Sequence, residues 1–181
     1  MYTCGICNVN ACKTGDIEKA PKNCPCRDEI IKESKAEYEK SENYMLARNS
    51  ALVEAEGYCK KTRIEEIMDF AKKCNYERIG VAFCTGFKKE TKILYEILKK
   101  NGFQVESVIC KSGSIPKSII GIEREEQVRP HCEHEAMCNP IGQAKLLNQA
   151  NTDLNLMLGL CVGHDSLFIK YSEAPVTVLA V

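Results

Sequence analysis

The chain has no tryptophan, only 7% aromatic residues, and no excess of either charge, with 25 Lys and Arg against 25 Asp and Glu among 181 residues. That balance excludes the basic footprint expected of a nucleic-acid-binding surface. Long apolar runs are also missing: Leu154–Val162 and Val176–Val181 fall well short of the roughly 20 residues that span a bilayer. The N-terminus lacks the charged-then-apolar pattern of a secretory signal, and no internal repeat or low-complexity tract is evident. With 44% hydrophobic residues the composition is that of a soluble globular protein. A chain of this length accommodates one domain of about 100–150 residues plus a small appendage. The expected location is the cytoplasm, with neither a membrane nor a nucleic acid as partner.

Cysteine, by contrast, is abundant, at twelve residues. In a compartment that keeps thiols reduced, such density points to metal ligation, cluster ligation or thiol chemistry in preference to disulfides.

Residues 1–26 hold five of the cysteines, with Gly, Asn and Pro between them and few large apolar side chains. A segment of that kind has no core of its own and needs a metal or covalent staple to fold. Residues 27–60 are rich in Glu, Lys and Ala and read as a helical linker or hairpin, whose faces offer a surface for homo-oligomer formation or plain solvation. From residue 61 to 181 helical and β-prone runs alternate, the signature of an α/β domain. The expected fold is a small parallel, Rossmann-like sheet flanked by helices, preceded by an N-terminal cysteine-rich metal knot. Strands are expected over 78–83, 103–109, 154–160 and 176–181. Helices are expected over 62–74, 88–101, 141–150 and 165–171, with Asn139 capping the third and Pro140 in its first turn. Because the chain ends within or directly after an apolar strand, a further C-terminal segment is expected.

In an open parallel sheet the ligand crevice lies beyond the carboxyl ends of the strands. Cys84 follows the first expected strand, Cys110 the second and Cys161 the third, although they are separated by 26 and 51 residues in sequence. Cys138 precedes the helix leading to the third strand, a position where oriented N–H groups favour a thiolate. One such cysteine is an ordinary small buried side chain, but four at related positions favour a ligand site. His164 offers an imidazole at the same rim, equally as a ligand or as a hydrogen-bonded neighbour of one, and Asp165 is expected to cap the following helix in preference to orienting His164. Converging thiolates suit an iron–sulfur cluster, with 4Fe–4S favoured, or zinc, and spacing alone does not separate the two. In Pro130–Glu135, His131 and Cys132 read as solvated loop residues and His134 as a reserve ligand.

At the N-terminus Cys4, Cys7, Cys12 and Cys24 are separated by two, four and eleven residues, with Cys26 as a spare. A Cys-x2-Cys turn presents two sulfurs to one ion and the later pair completes a tetrahedron. Zinc is the simplest occupant, although Cys24-Pro25 also matches the last ligand of ferredoxin-like clusters. Cys59 and Cys74 are expected to be packing residues.

Several of these runs together, among them Cys4-Gly5-Ile6-Cys7, Ala20-Pro21-Lys22-Asn23-Cys24-Pro25, Ala82-Phe83-Cys84, Met137-Cys138-Asn139-Pro140 and Gly159-Leu160-Cys161-Val162-Gly163-His164-Asp165-Ser166, resemble the prokaryotic family known as domain of unknown function 1847. The resemblance covers nearly the whole chain. It implies a metal-binding protein of archaea and anaerobic bacteria with no settled activity. It also implies an extension past the final strand, carrying a basic His-Asn-Pro segment that this sequence lacks. Taken together, the residues and the resemblance lead to an expected metal-binding protein that serves electron transfer or redox or sulfur chemistry, with a redox partner or a small-molecule substrate. The alternative is a zinc-binding sensor or delivery protein without catalysis.

Overall fold

The structure is a computed structural model and describes residues 1–181. It divides into two compact units, Met1–Glu56 and Gly57–Val181.

The first unit is built from short turns and two longer helices. Three-residue 3-10 turns at Cys4–Ile6, Ile17–Lys19 and Pro25–Arg27 alternate with the single-turn helix α1 (Ala11–Thr14), followed by α2 (Glu29–Glu37) and α3 (Ser41–Gly57). Only Ala11, Ala20, Asn49 and Val53 of this unit are buried. Polar ties do the work that a core does elsewhere. The Arg27 guanidinium donates to the carbonyls of Ile17, Glu18 and Ala20 at 3.0–3.1 Å. Asn23 Nδ2 donates to Thr3 Oγ1 at 2.9 Å, and the Tyr2 hydroxyl donates to the Asp28 carboxylate. Asp28 in turn caps α2 by accepting from the Ile30 N–H.

The second unit is an α/β layer structure with a four-stranded, all-parallel sheet in the order β2-β1-β3-β4. The strands are β1 (Arg78–Phe83), β2 (Gln104–Ile109), β3 (Leu154–Leu158) and β4 (Val176–Ala180). Helices α4 (Arg63–Lys73), α5 (Lys88–Lys100), α6 (Pro140–Gln149) and α7 (His164–Tyr171) flank it. The alternation of the central strands decides which helices cover which face. Ile79, Val81 and Phe83 of β1 and Leu154, Leu156 and Leu158 of β3 point to one side, where Ile67 and Ala71 of α4 and Leu94 and Leu98 of α5 cover them. Ala82 and Met157 point to the other, against Ala144 and Leu147 of α6 and Phe168 of α7. Gly80 lies on that second face, where a Cβ would stand 2.0 Å from Asn155 Oδ1, so the small residue in β1 makes room for the buried amide in β3.

The helix ends follow their local chemistry. Thr62 and Glu65 form a reciprocal capping box at the start of α4. Asn139 caps α6 as expected, accepting from the Gly142 N–H at 2.8 Å with Pro140 in the first turn. Two local expectations are corrected. Cys59 is exposed on a turn with φ of 55° and so is no core residue, whereas Cys74 is buried. Asp165 does not cap α7 from outside: Gly163 holds that position, and Asp165, inside the first turn, accepts from the Ser166 N–H. No helix is long and apolar enough to cross a membrane.

Candidate functional site at the strand ends

The chain leaves β1 for α5 on one face and β3 for α7 on the other, so the boundary between β1 and β3 is the switch point at which parallel sheets open a crevice. Backbone pairing continues one residue past the ends of β1 and β2. The Cys84 N–H donates to Leu158 O at 3.0 Å, and the Cys110 N–H donates to Phe83 O at 2.8 Å. Cys84 and Cys110 therefore stand at fixed places on neighbouring strand ends.

Cys138 reaches the same place by another route. After β2 the chain makes a long excursion, pinned near its base by an antiparallel bridge between Pro116 and Ala136, before it enters α6. The excursion closes where it began, with the Asn139 N–H donating to Cys110 O at 2.7 Å and Asn139 Nδ2 donating to Ser112 O at 3.1 Å. Closure sets Cys138 beside Cys110. Cys84, Cys110 and Cys138 pack around one buried cluster, and the Cys110 thiol is only 2% exposed. Burial pushes its pKa up to about 11, against the Thr85 N–H, which donates to the sulfur at 3.3 Å. The neighbouring Cys138 and Cys84 sulfurs reinforce the upward shift, and the thiol hydrogen-bonds to Cys138.

A cleft of about 840 Å³ opens beside this group. Cys138, Cys161 and His164 line it, as do Cys132 and His134 on the excursion. Cys161 is exposed, three residues past the end of β3 rather than directly after it, because the strand stops at Leu158. Gly159 causes the break: its φ is +68°, and a Cβ there would lie 2.2 Å from the Phe87 ring. His164 Nδ1 is buried and without a hydrogen-bond partner. His134 Nε2 is 3.0 Å from Ser114 Oγ. Lys117 and Glu135, both largely shielded, form an ion pair in the cleft wall that holds the Glu135 carboxyl below the usual carboxylate range.

Sequence reasoning missed Gln143. It is fully buried, and its Nε2 donates to Val108 O at 2.7 Å and Phe83 O at 3.3 Å, which clamps the ends of β1 and β2 together beneath the cysteines. Its signal was a polar residue in the same helical stripe as Pro140, Ala144 and Leu147.

At the N-terminus, the neighbouring Cys24 sulfur, with smaller effects from burial and from Cys12 and Cys4, raises the pKa of the Cys26 thiol. The Cys7 sulfur accepts instead from the Asn10 and Val9 N–H groups, which lower its pKa. All twelve cysteines are thiols, with no disulfide between any of them.

No group of three or more His, Cys, Asp or Glu side chains is already assembled at metal-ligand spacing. The donor chemistry nevertheless fits a soft metal or cluster at the strand ends, where three thiols cluster and an imidazole nitrogen is buried without a partner.

Residues 23–179 match the model of a family described as a protein of unknown function, DUF1847. The chain belongs to this family. A relative, the uncharacterized protein MJ0455 of Methanocaldococcus jannaschii, is 46% identical over 178 residues, covering 98% of this chain and 86% of the relative. The region matched by the family takes in Cys84, Cys110, Cys138, Cys161 and His164, while Cys4, Cys7 and Cys12 precede it and Cys24 and Cys26 stand at its edge.

Proposed function

We propose that this family member is a cytoplasmic metal-binding protein that carries an iron–sulfur cluster, 4Fe–4S by preference, at the strand ends of its α/β unit. Cys84, Cys110, Cys138 and Cys161 are its ligands, with His164 beside them and His134 in reserve. The N-terminal cysteines hold a second metal, zinc by preference. The observation that carries this reading is the buried Cys110 thiol in contact with Cys138 and near Cys84, three residues from three loops, beside a cleft that Cys138 lines.

Each residue has a distinct task. The Cys110 burial keeps water from the inner side of the centre, while the Gln143 clamp and the Asn139 tie hold Cys84, Cys110 and Cys138 in place. Cys161, exposed on the cleft wall, stands where a small molecule or a redox partner approaches. When bound, the cluster supplies one-electron transfer, which suits electron carriage or redox and sulfur chemistry on a small substrate. The unpartnered His164 nitrogen favours a second reading, a mixed sulfur and nitrogen zinc site in a sensor or delivery protein.

Purification under strict anoxia, followed by metal analysis and visible spectroscopy, separates the two. Iron with inorganic sulfide and a broad thiolate-to-iron absorption supports the cluster, whereas a colourless zinc protein supports the second reading. Iron content unchanged in both Cys84→Ser and Cys161→Ser sinks the strand-end assignment.

A further inference from the structure

The cleft beside the strand ends has a wall of two kinds. Ile141 of α6, Leu167 of α7, Met137 just before α6, and Ile120 and Ile122 of the excursion make it apolar. Among them stand the cations Lys111, Lys117 and Arg129, against two carboxylates, Glu126 and Glu135. The wall therefore carries one positive charge in excess.

Both carboxylates are engaged. Glu135 pairs with Lys117 and accepts from the Arg129 N–H at 2.7 Å, while Glu126 accepts from the Glu123 N–H at 3.0 Å in a reciprocal cap. Lys111 is in a different position. It directly follows Cys110, and its part-buried ammonium donates to Ala136 O, two residues before Cys138, at 2.6 Å. That bond joins the two legs of the excursion and fixes the ammonium in the cleft wall. It uses one of the three N–H donors and supplies a carbonyl dipole, with no opposite charge. Withdrawing a cation from water is unfavourable unless an anion compensates it, and neither carboxylate of the wall is free to do so.

We propose that the cleft binds a small organic monoanion, a carboxylate with an apolar body, whose carboxylate takes the remaining donors of Lys111 and whose body lies against Met137, Ile141 and Leu167. This assignment rests on the reading of the cleft as the place where a small molecule approaches the strand-end centre, and it gives that molecule its chemical class. One excess charge matches a monoanion. A phosphate dianion exceeds it, and a neutral molecule leaves Lys111 unpaired. An apolar body over the ammonium also excludes water, which strengthens the ion pair.

The probe is hexanoate, with hexanamide as its uncharged counterpart. Each is titrated into the reduced full chain, as purified under anoxia and again after metal removal, with binding read by calorimetry and, in the metal-free chain, by the methyl resonances of Met137 and Ile141. Hexanoate is expected to shift both methyls and to bind at least tenfold more tightly than hexanamide. Lys111→Gln, which keeps a neutral donor for Ala136 O, is expected to weaken hexanoate about tenfold and leave hexanamide unchanged, and Lys111→Arg to restore the preference. Unchanged amide shifts of Cys110 and Cys138 in Lys111→Gln confirm that its cleft is intact. Equal binding of hexanoate and hexanamide, hexanoate binding unaffected by Lys111→Gln, or inorganic phosphate bound as tightly as hexanoate overturns the proposal. The two readings fail separately: a chain that prefers hexanoate but holds no metal at its strand ends refutes only the metal centre, whereas a metal-loaded chain that does not distinguish hexanoate from hexanamide refutes only the carboxylate site.

Discussion

Gly57–Val181 and Met1–Glu56 solve the same problem by different physics. The larger unit closes its sheet between two apolar layers, with Ile79, Val81, Leu154 and Leu156 removed from water. The smaller unit buries two alanines, an asparagine and a valine, and depends on Arg27, Asn23 and Tyr2 to hold its turns. Hydrophobic burial is collective and tolerates small losses, whereas a segment stitched by a few polar ties depends on each of them. The lesson is that cysteine has two settings in one chain: in the α/β unit the sheet positions the thiols, whereas at the N-terminus the thiols lie in a segment with almost no core, where the proposed metal would position the chain.

The contrast is broken or sharpened first by removing metal. Chelation of the reduced protein is expected to collapse the amide NMR dispersion of residues 1–26 while the resonances of β1 to β4 keep theirs, since structural zinc contributes on the order of 10 kcal/mol to small modules. A sheet that melts together with the N-terminal segment would remove the distinction. Next in size is Gly159→Ala. It places a Cβ against the Phe87 ring at a left-handed φ, and we expect a loss of about 2–4 kcal/mol in urea denaturation.

The third effect is confined to alkali. Because the folded protein raises the Cys110 pKa from 9.0 to about 11, it binds this proton more tightly than the unfolded chain does. The contribution is complete below about pH 9 and is lost as pH rises towards about 11. Metal-free, reduced protein should show that fall in its denaturation midpoint, and Cys110→Ala should flatten it. Smallest is Thr62→Ala, which removes one half of the capping box of α4 at a cost of about 1 kcal/mol, measured as a shift in midpoint with unchanged slope.

The four strands and their parallel class were readable because β-branched and apolar runs such as Arg78–Phe83 alternate with amphipathic helices. Strand 78–83 and the Asn139 cap match residue for residue, since each depends on local chemistry. The order β2-β1-β3-β4 was not readable, because the choice of side for β3 depends on which faces α5 and α6 cover, a matter of packing. At the site, the meeting of Cys84, Cys110 and Cys138 follows from the rule that loops at strand ends converge. The displacement of Cys161 along the cleft was hidden, because it depends on one ring, Phe87, lying over Gly159.

The backbone bond between Asn139 and Cys110 has an evolutionary corollary. Because residues 117–135 lie beyond the Pro116–Ala136 bridge, they can be lengthened, shortened or rebuilt like an exchangeable roof while Cys110 and Cys138 keep their places below. Change in that segment would therefore alter the mouth of the crevice with the least cost to the thiols beneath it.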